Sequence, residues 1–396
     1  MIFTRWLLSL TAMIGLETSG WAGTMSDSLC PDLSMVRSSL KHHEVLLEYS
    51  LGDSVLVILA ITKSHKIYVR QRVDRLFRET IRNYAHNLRM ANVDKLAGAA
   101  WKMYTMLLLP VRKILEGKSR LIIIPCRELN GIAFESFLTS ELDPQACGFP
   151  CHHYLIRDFE VTYHYSVEQW LQITTTGRIR EREGNGRMID FAGFSPGFEN
   201  GTAVAPIPAA GNEVAEIADL FGRRGMTARM STGKESSKQR FLEMVPGSRI
   251  IHIATHRDRG ATLKEENGLL FSDSRYPGQK APSQAGVLTL EEIHGMKLRA
   301  DLVVLNACGS AVCRKGSPGF ASAMPAGFLG AGAKNILATL WNITDKFAGR
   351  FMVIFYRKWL SGMSFSCALR ETKIEMIESR ETALPTLWAA WVLIGR

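Results

Sequence analysis

Two residues in this chain combine the types and the setting needed for nucleophilic chemistry. Cys308 ends the run Leu302-Val-Val-Leu-Asn-Ala-Cys308, and His256 ends the run Arg249-Ile-Ile-His-Ile-Ala-Thr-His256. Both runs are short and apolar and stop abruptly, the pattern of a buried strand breaking into a loop. A thiol presented at such a strand end can attack a carbonyl when a base lies within hydrogen-bond reach and backbone N–H groups face the developing oxyanion. His256 stands 52 positions before Cys308, a spacing at which two strand ends of one sheet can bring a base to a nucleophile.

The other histidines and cysteines fit this chemistry less well. Strand alternation puts His252, Ala254 and His256 on one side, but only His256 lies where the run opens into a loop. His252 is therefore read as a packed strand residue hydrogen-bonded to backbone. Cys126 follows Ile122-Ile-Ile-Pro at another strand end but has no histidine nearby in sequence, and Cys313 and Cys367 have no comparable setting. Cys147, Cys151, His152 and His153 form a compact cluster, yet no second cluster completes a four-ligand zinc site, so no metal is expected there and the segment reads as a loop with incidental thiols. No cofactor is called for. The glycines from Gly327 to Gly332 fall at a helix end, not at the strand-to-helix turn that cradles phosphate.

The elements that must position the pair read as follows. Glu44 to Tyr49, the turn Gly52-Asp53 and Val55 to Thr62 predict a hairpin. Asp74 to Leu115 predicts two helices with a break near Asn92; Leu121 to Pro125 predicts a strand, Leu129 to Leu138 a turn and helix, and Tyr154 to Tyr165 a strand pair or irregular strand. Gly184-Asn-Gly186 marks a boundary. Beyond it, strands and helices alternate through Met188–Gly193, Gly211–Phe221, Arg249–Ala254, Leu302–Asn306, Lys334–Leu340, Phe347–Leu360 and Ser364–Ser379. That alternation predicts a mainly parallel sheet covered on both faces, with sites at the carboxyl ends of its strands. The apolar end Trp388-Ala-Ala-Trp-Val-Leu-Ile-Gly395 predicts a final buried strand.

The chain has 396 residues, 46% of them hydrophobic, which supports two or three compact units and excludes disorder and collagen-like order. The net charge is +10, but the basic residues read as scattered, with short clusters such as Arg178-Ile-Arg-Glu-Arg182 and Arg223-Arg224, so no dedicated nucleic-acid surface is expected. Seven cysteines argue against a disulfide framework and for a cytoplasmic setting. The N-terminus keeps a second reading open. Arg5, the apolar stretch Trp6 to Leu16 and the small residues through Gly23 loosely fit a secretory signal cleaved after Ala22, while a residual upstream segment or a start at Met25 are the alternatives. No stretch is long enough to span a membrane.

In this order, these blocks resemble the CHAT peptidases, relatives of caspases and separase usually found beside tetratricopeptide repeats. The resemblance covers about Leu40 to Arg396. It rests on Leu46-Leu-Glu-Tyr-Ser with Gly52-Asp53, Leu121-Ile-Ile-Ile-Pro with Leu129-Asn-Gly-Ile-Ala-Phe-Glu135, His252-Ile-Ala-Thr-His256 and Asp301-Leu-Val-Val-Leu-Asn-Ala-Cys308. Phe328-Leu-Gly-Ala-Gly-Ala-Lys-Asn-Ile-Leu-Ala-Thr-Leu-Trp341 and the C-terminal block complete it. It implies a caspase-like three-layer α/β/α catalytic half, 184–396, preceded by a related pseudo-catalytic α/β half, 31–183, with 1–30 as the signal-like or residual segment. It also implies a cysteine endopeptidase acting on a protein substrate, with His256 and Cys308 as the dyad and the backbone N–H groups of Arg257 and Cys308 as the oxyanion donors. No 34-residue repeat is visible, so a tetratricopeptide-repeat protein is expected as a separate regulatory partner.

Three departures accompany the resemblance. Arg257 stands where relatives usually place Gly after the histidine, Gly309-Ser310 replaces the usual Glu/Asn-Thr after the cysteine, and Pro325 falls inside an expected helix, where it would kink it. If the turn after His256 requires glycine, the oxyanion hole is distorted, at a cost on the order of 10²–10³ in rate for each lost donor. A catalytically weak or inactive protein serving as an interaction scaffold is the alternative function.

Overall fold

The computed structural model describes residues 33–141, 148–176, 189–198, 206–258, 268–274, 286–307, 309–311 and 324–396. The chain opens with helix α1 (Leu33–Ser39), strands β1 (Glu44–Leu51), β2 (Val55–Ile61) and β3 (Lys66–Arg72), and helices α2 (Arg75–Arg89), α3 (Val93–Leu107) and α4 (Arg112–Leu115). Strands β4 (Arg120–Ile124) and β5 (Glu160–Tyr163) and helix α5 (Val167–Thr176) complete the first half. There follow β6 (Ile189–Pro196), α6 (Pro208–Gly222), β7 (Ala228–Gly233), α7 (Lys238–Met244), β8 (Ser248–Ala254), β9 (Arg257–Asp258), β10 (Gly268–Leu270) and β11 (Val287–Thr289). The chain closes with α8 (Leu290–Gly295), β12 (Leu302–Asn306), α9 (Met324–Ala331), β13 (Ile336–Thr339), α10 (Asp345–Leu360), α11 (Phe365–Glu378), α12 (Pro385–Trp388) and β14 (Trp391–Ile394).

One eleven-stranded sheet runs through both halves in the order β3-β2-β1-β4-β5-β14-β13-β12-β8-β6-β7. The pairs β1/β2, β2/β3 and β13/β14 are antiparallel and the rest parallel. Parallel strands must be covered on both faces, so they read as continuous apolar runs. Leu302, Val303, Val304 and Leu305 of β12 are all 0% exposed, as that rule requires. Helices α6 and α10 pack together on the face reached by His252, while α1 and α5 cover β1, β2 and β4 through Val36, Trp170 and Leu171. The seam between the halves is thin in backbone terms, with Ile394 and Tyr163 as the one register pair joining β14 to β5.

The predicted hairpin, the paired helices and the terminal strand all appear. Asp74 caps α2 by accepting from the Phe77 N–H, and Ala91 at φ 53° breaks the chain before α3. Leu129 to Leu138 differs from expectation, because it holds two separate 3₁₀ turns, Arg127–Leu129 and Phe134–Ser136, and no α-helix. Gly131 sits at φ 86°, and the Phe134 N–H donates to the Tyr163 hydroxyl at 2.9 Å, which draws the backbone away from a helical ladder. Tyr154 to Tyr165 resolves into a 3₁₀ turn, Leu155–Arg157, and the single strand β5. Pro325 is the second residue of α9, in the first turn where its missing N–H has no partner to lose, so it starts the helix and does not kink it. The expected boundary at Gly184 to Gly186 lies outside the described residues.

Candidate active site

The central parallel strands β8 and β12 are neighbours, with Val304 opposite His252 and Asn306 opposite Ala254. Their carboxyl ends therefore open side by side. Beyond β8, the Thr255 N–H donates to the Asn306 carbonyl (3.2 Å), and the Thr255 hydroxyl donates to the Leu270 carbonyl (2.5 Å), fixing the exit of the chain. His256 follows, half-buried against the Phe198 ring at a centroid distance of 5.2 Å. Beyond β12, the Ser310 N–H donates to the Ala307 carbonyl (3.0 Å), closing a turn that brackets position 308. Cys308 itself lies outside the described residues. Gly309, at φ 61°, occupies the left-handed region that glycine enters without strain.

The end of β13 holds this turn from the other side. The Thr339 hydroxyl donates to the Ala307 carbonyl (2.9 Å), the Ser310 hydroxyl donates to the Leu305 carbonyl (2.9 Å) and accepts from the Thr339 N–H (3.1 Å), and the Ala311 N–H reaches the Thr339 carbonyl (2.9 Å). Ser310 thus serves as a brace in place of the Glu/Asn-Thr of the resemblance. His256, Asn306, Ala307 and Thr339 border one cleft with Glu213 and Asp345, enclosing about 60 Å³, room for a few waters. Burial pushes the Asp345 carboxyl up, against a downward pull from His256 and with a further push from Glu213.

Arg257 answers the question raised by its replacement of glycine. It opens β9 opposite Leu269 and is not among the described non-glycine residues at positive φ, so the backbone there asks for no glycine. The Leu270 N–H donates to the His256 carbonyl (3.0 Å), which makes Arg257 and Leu269 a non-hydrogen-bonded pair. In such a pair the N–H of Arg257 points away from β10. Its guanidinium Nη1 donates to the Gly309 carbonyl at 2.8 Å, tying the histidine loop to the cysteine loop.

Beneath the cleft lies a buried network that sequence reasoning missed. Glu213 of α6, 4% exposed, accepts from His252 Nε2 (2.9 Å) and from Asn306 Nδ2 with both oxygens (2.8 and 2.9 Å). Nδ1 of His252 is 3.2 Å from the Tyr356 hydroxyl of α10. His252 is thus bonded to side chains, not to backbone as expected, because α6 and α10 deliver polar groups onto its strand face. Asn306 was within sight in the Asn-Ala-Cys motif, and Asp345 follows a strand end; Glu213 and Tyr356 carry no local signal.

The remaining candidates fall away from the cleft. Burial pushes the Cys126 thiol up to about 12, and burial also raises that of Cys367. Cys151 is disulfide-bonded, which corrects the reading of incidental thiols. His152 packs against Phe149 and Tyr154, and His153 pairs with Asp158 at 2.9 Å. Cys147 and Cys313 lie outside the described residues, and among the described residues no group could hold a metal ion. No helix among them is long and apolar enough to cross a membrane.

The sequence model of the CHAT domain matches residues 98–396. The chain belongs to the CHAT domain family. Among relatives of this CHAT chain, tetratricopeptide repeat protein 28 of Homo sapiens is 25% identical over 216 residues, covering 48% of this chain and 8% of the human protein. The Mus musculus protein of the same name is 25% identical over the same length, with 9% of it covered. The chain therefore spans under a tenth of these relatives. Two crystal structures of the Saccharomyces cerevisiae separase–securin complex align with 91% of the CHAT chain and 30% of theirs, with TM-scores of 0.55 and 0.50 and identities of 11% and 10%. At that identity the likeness is one of fold, and the fold is caspase-like.

Proposed function

We propose that the chain is a cysteine endopeptidase acting on a protein substrate through Cys308 and His256. The observation that carries the reading is the convergence of His256 and the braced Ala307–Ala311 turn on one cleft at adjacent carboxyl ends of parallel strands. In this mechanism the Cys308 thiolate attacks the peptide carbonyl, and the oxyanion is received by the N–H groups of Cys308 and Arg257. Collapse expels the amine, which takes its proton from the His256 imidazolium, leaving a thioester. His256 then removes a proton from water, and the hydroxide releases the acyl group and restores the thiol. Asp345 at the cleft suits a cationic side chain before the scissile bond. A tetratricopeptide-repeat protein is the proposed regulatory partner, a reading supported by the name of the relatives.

The test is covalent labelling with acyloxymethyl ketone peptides ending in Arg, Lys or Asp, with the modified residue mapped by mass spectrometry. The expected result is modification of Cys308, fastest with Arg or Lys, lost in Cys308→Ala and slowed at least about 100-fold in His256→Ala. A folded chain that leaves Cys308 unmodified would sink the proposal.

One observation favours the second reading, a catalytically weak scaffold: the Arg257 guanidinium holds the carbonyl of the residue after Cys308. Under that reading Arg257→Gly gains no labelling, and Cys308→Ala still binds its partner.

A further inference from the structure

The chain's positive charge is concentrated at one end. From Lys63 to Lys113 there are twelve Lys and Arg against three Asp and Glu, whereas the remaining 345 residues hold 36 against 35. Almost the whole net charge of +10 therefore sits on the segment of β3, α2, α3 and α4, of which β3 is the outer edge of the sheet. Eleven of the twelve are exposed, and Arg78 is half-buried. Among the described residues only Arg75 and Arg78 of the twelve enter a salt bridge. Two of the three acids are occupied locally, Asp74 as the cap of α2 and Glu79 with Arg75. A solvated segment usually interleaves its signs, and this one is four to one basic.

Strand β3 arranges part of that charge in a row. Its side chains alternate, with Ile67 and Val69 packed on the core while Lys66, Tyr68, Arg70 and Arg72 face solvent. Same-face neighbours on a strand stand roughly 6.6 Å apart, comparable to the reach between successive phosphates of an extended single strand. Tyr68 is 38% exposed, with the Lys66 ammonium 5.9 Å from its ring centroid. Cations spaced along an extended backbone around an exposed ring are the elements of sequence-tolerant single-strand binding, in which phosphates pair with charge and bases stack. An anionic membrane would want a continuous apolar stripe, and α2 exposes only Leu76 and Met90 among its arginines. An acidic polypeptide would want apolar anchors beside the row, and Tyr68 is the one large apolar side chain that β3 exposes.

We propose that the solvent face of edge strand β3 is a docking surface for single-stranded nucleic acid, held by charge and stacking and not by base sequence. It lies on the first strand of the sheet, seven strands from β12, roughly 34 Å at the usual strand spacing. The surface would recruit the chain to a nucleic-acid-bearing target and would work whether or not Cys308 proves to be a nucleophile.

The test is fluorescence anisotropy of the full chain with a labelled 20-nucleotide oligouridylate from about 50 to 300 mM salt. Log affinity should fall with log salt at a slope of about −2 to −4, the value for three to six phosphate contacts on a single strand. The triple variant Lys66→Glu, Arg70→Glu, Arg72→Glu should bind at least about 30-fold more weakly. Tyr68→Ala should bind roughly 5- to 100-fold more weakly with its salt slope unchanged, because stacking releases no counterions. Arg223→Glu with Arg224→Glu, just past the C-terminal end of α6, should leave binding as it is. Thermal melting checks the fold, and a β3 variant that melts early is replaced by Lys66→Gln, Arg70→Gln, Arg72→Gln, which should bind at least about 10-fold more weakly. Wild-type chain that ignores the oligonucleotide, an affinity that Tyr68→Ala leaves intact, or tighter binding to polyglutamate or phosphatidylserine vesicles would overturn the proposal.

Discussion

Arg257 does two jobs with separable parts. Its backbone lies in β9 with the N–H turned away from β10, and its side chain spans to the Gly309 carbonyl. A charged donor on a half-exposed carbonyl stabilises by about 1 kcal/mol once solvent screening is allowed for, and a guanidinium one residue from a thiol favours the thiolate. Arg257→Gly should therefore lower stability by about 1 kcal/mol and slow iodoacetamide alkylation of Cys308 at pH 7 several-fold, with Arg257→Lys recovering the rate but not the stability. Melting curves and site-resolved alkylation read the two effects separately. Glu48 offers a second residue-scale test. It lies on β1 between Leu59 and Ile124 with one oxygen lacking a hydrogen-bond partner, and burial, helped by Glu168, pushes its carboxyl up to about 8. The fold keeps a proton that the unfolded chain releases above about 4.5, so stability is full below that pH and falls as pH rises toward 8. Glu48→Gln should remove a loss on the order of 3–5 kcal/mol across that window, measured by urea titration at pH 5 and pH 9. At this scale the sequence announced the loops of His256 and Cys308, because strand ends have local signatures. Glu213 and Tyr356 were invisible, since they reach His252 from helices 39 and 104 positions away.

The first half also places a cysteine and a histidine after strands. β4 leads through Pro125 to Cys126 and β5 leads to His164, a cysteine and a histidine at strand ends again. Burial pushes the thiol up to about 12 and drives the imidazole down to about 3, so at neutral pH neither carries charge. Side chains of that half also tie it to β14. Lys373 of α11 donates to Glu135 (2.6 Å) and to the Trp391 carbonyl (2.6 Å), the Tyr163 hydroxyl donates to the same carboxylate, and both charged side chains are essentially unexposed. Side-chain bonds thus reinforce a junction with one register pair. Removing one partner strands the other charge, so Lys373→Ala should cost about 3–5 kcal/mol, while Lys373→Met with Glu135→Leu should recover much of that, as denaturant titration would report. Hairpin, helices and terminal strand were legible from periodicity because each element makes its own pattern. The Leu129 to Leu138 segment was not, since its backbone is claimed by Tyr163, from a strand the local sequence does not mention.

For the whole molecule, the alternating second half predicted the parallel sheet, whereas the charge distribution escaped a search for consecutive basic residues. Twelve cations spread over 51 positions form no run; three of them, Lys66, Arg70 and Arg72, fall into one row only because alternate residues of edge strand β3 face solvent. The continuity of the eleven strands then has a geometric consequence. Seven strand steps separate β3 from β12, roughly 34 Å at the usual spacing. The basic edge and the cleft are therefore distinct places on the molecule. A polymer lying on β3 leaves the entrance beside His256 unobstructed, and both could be occupied at once without competing for space.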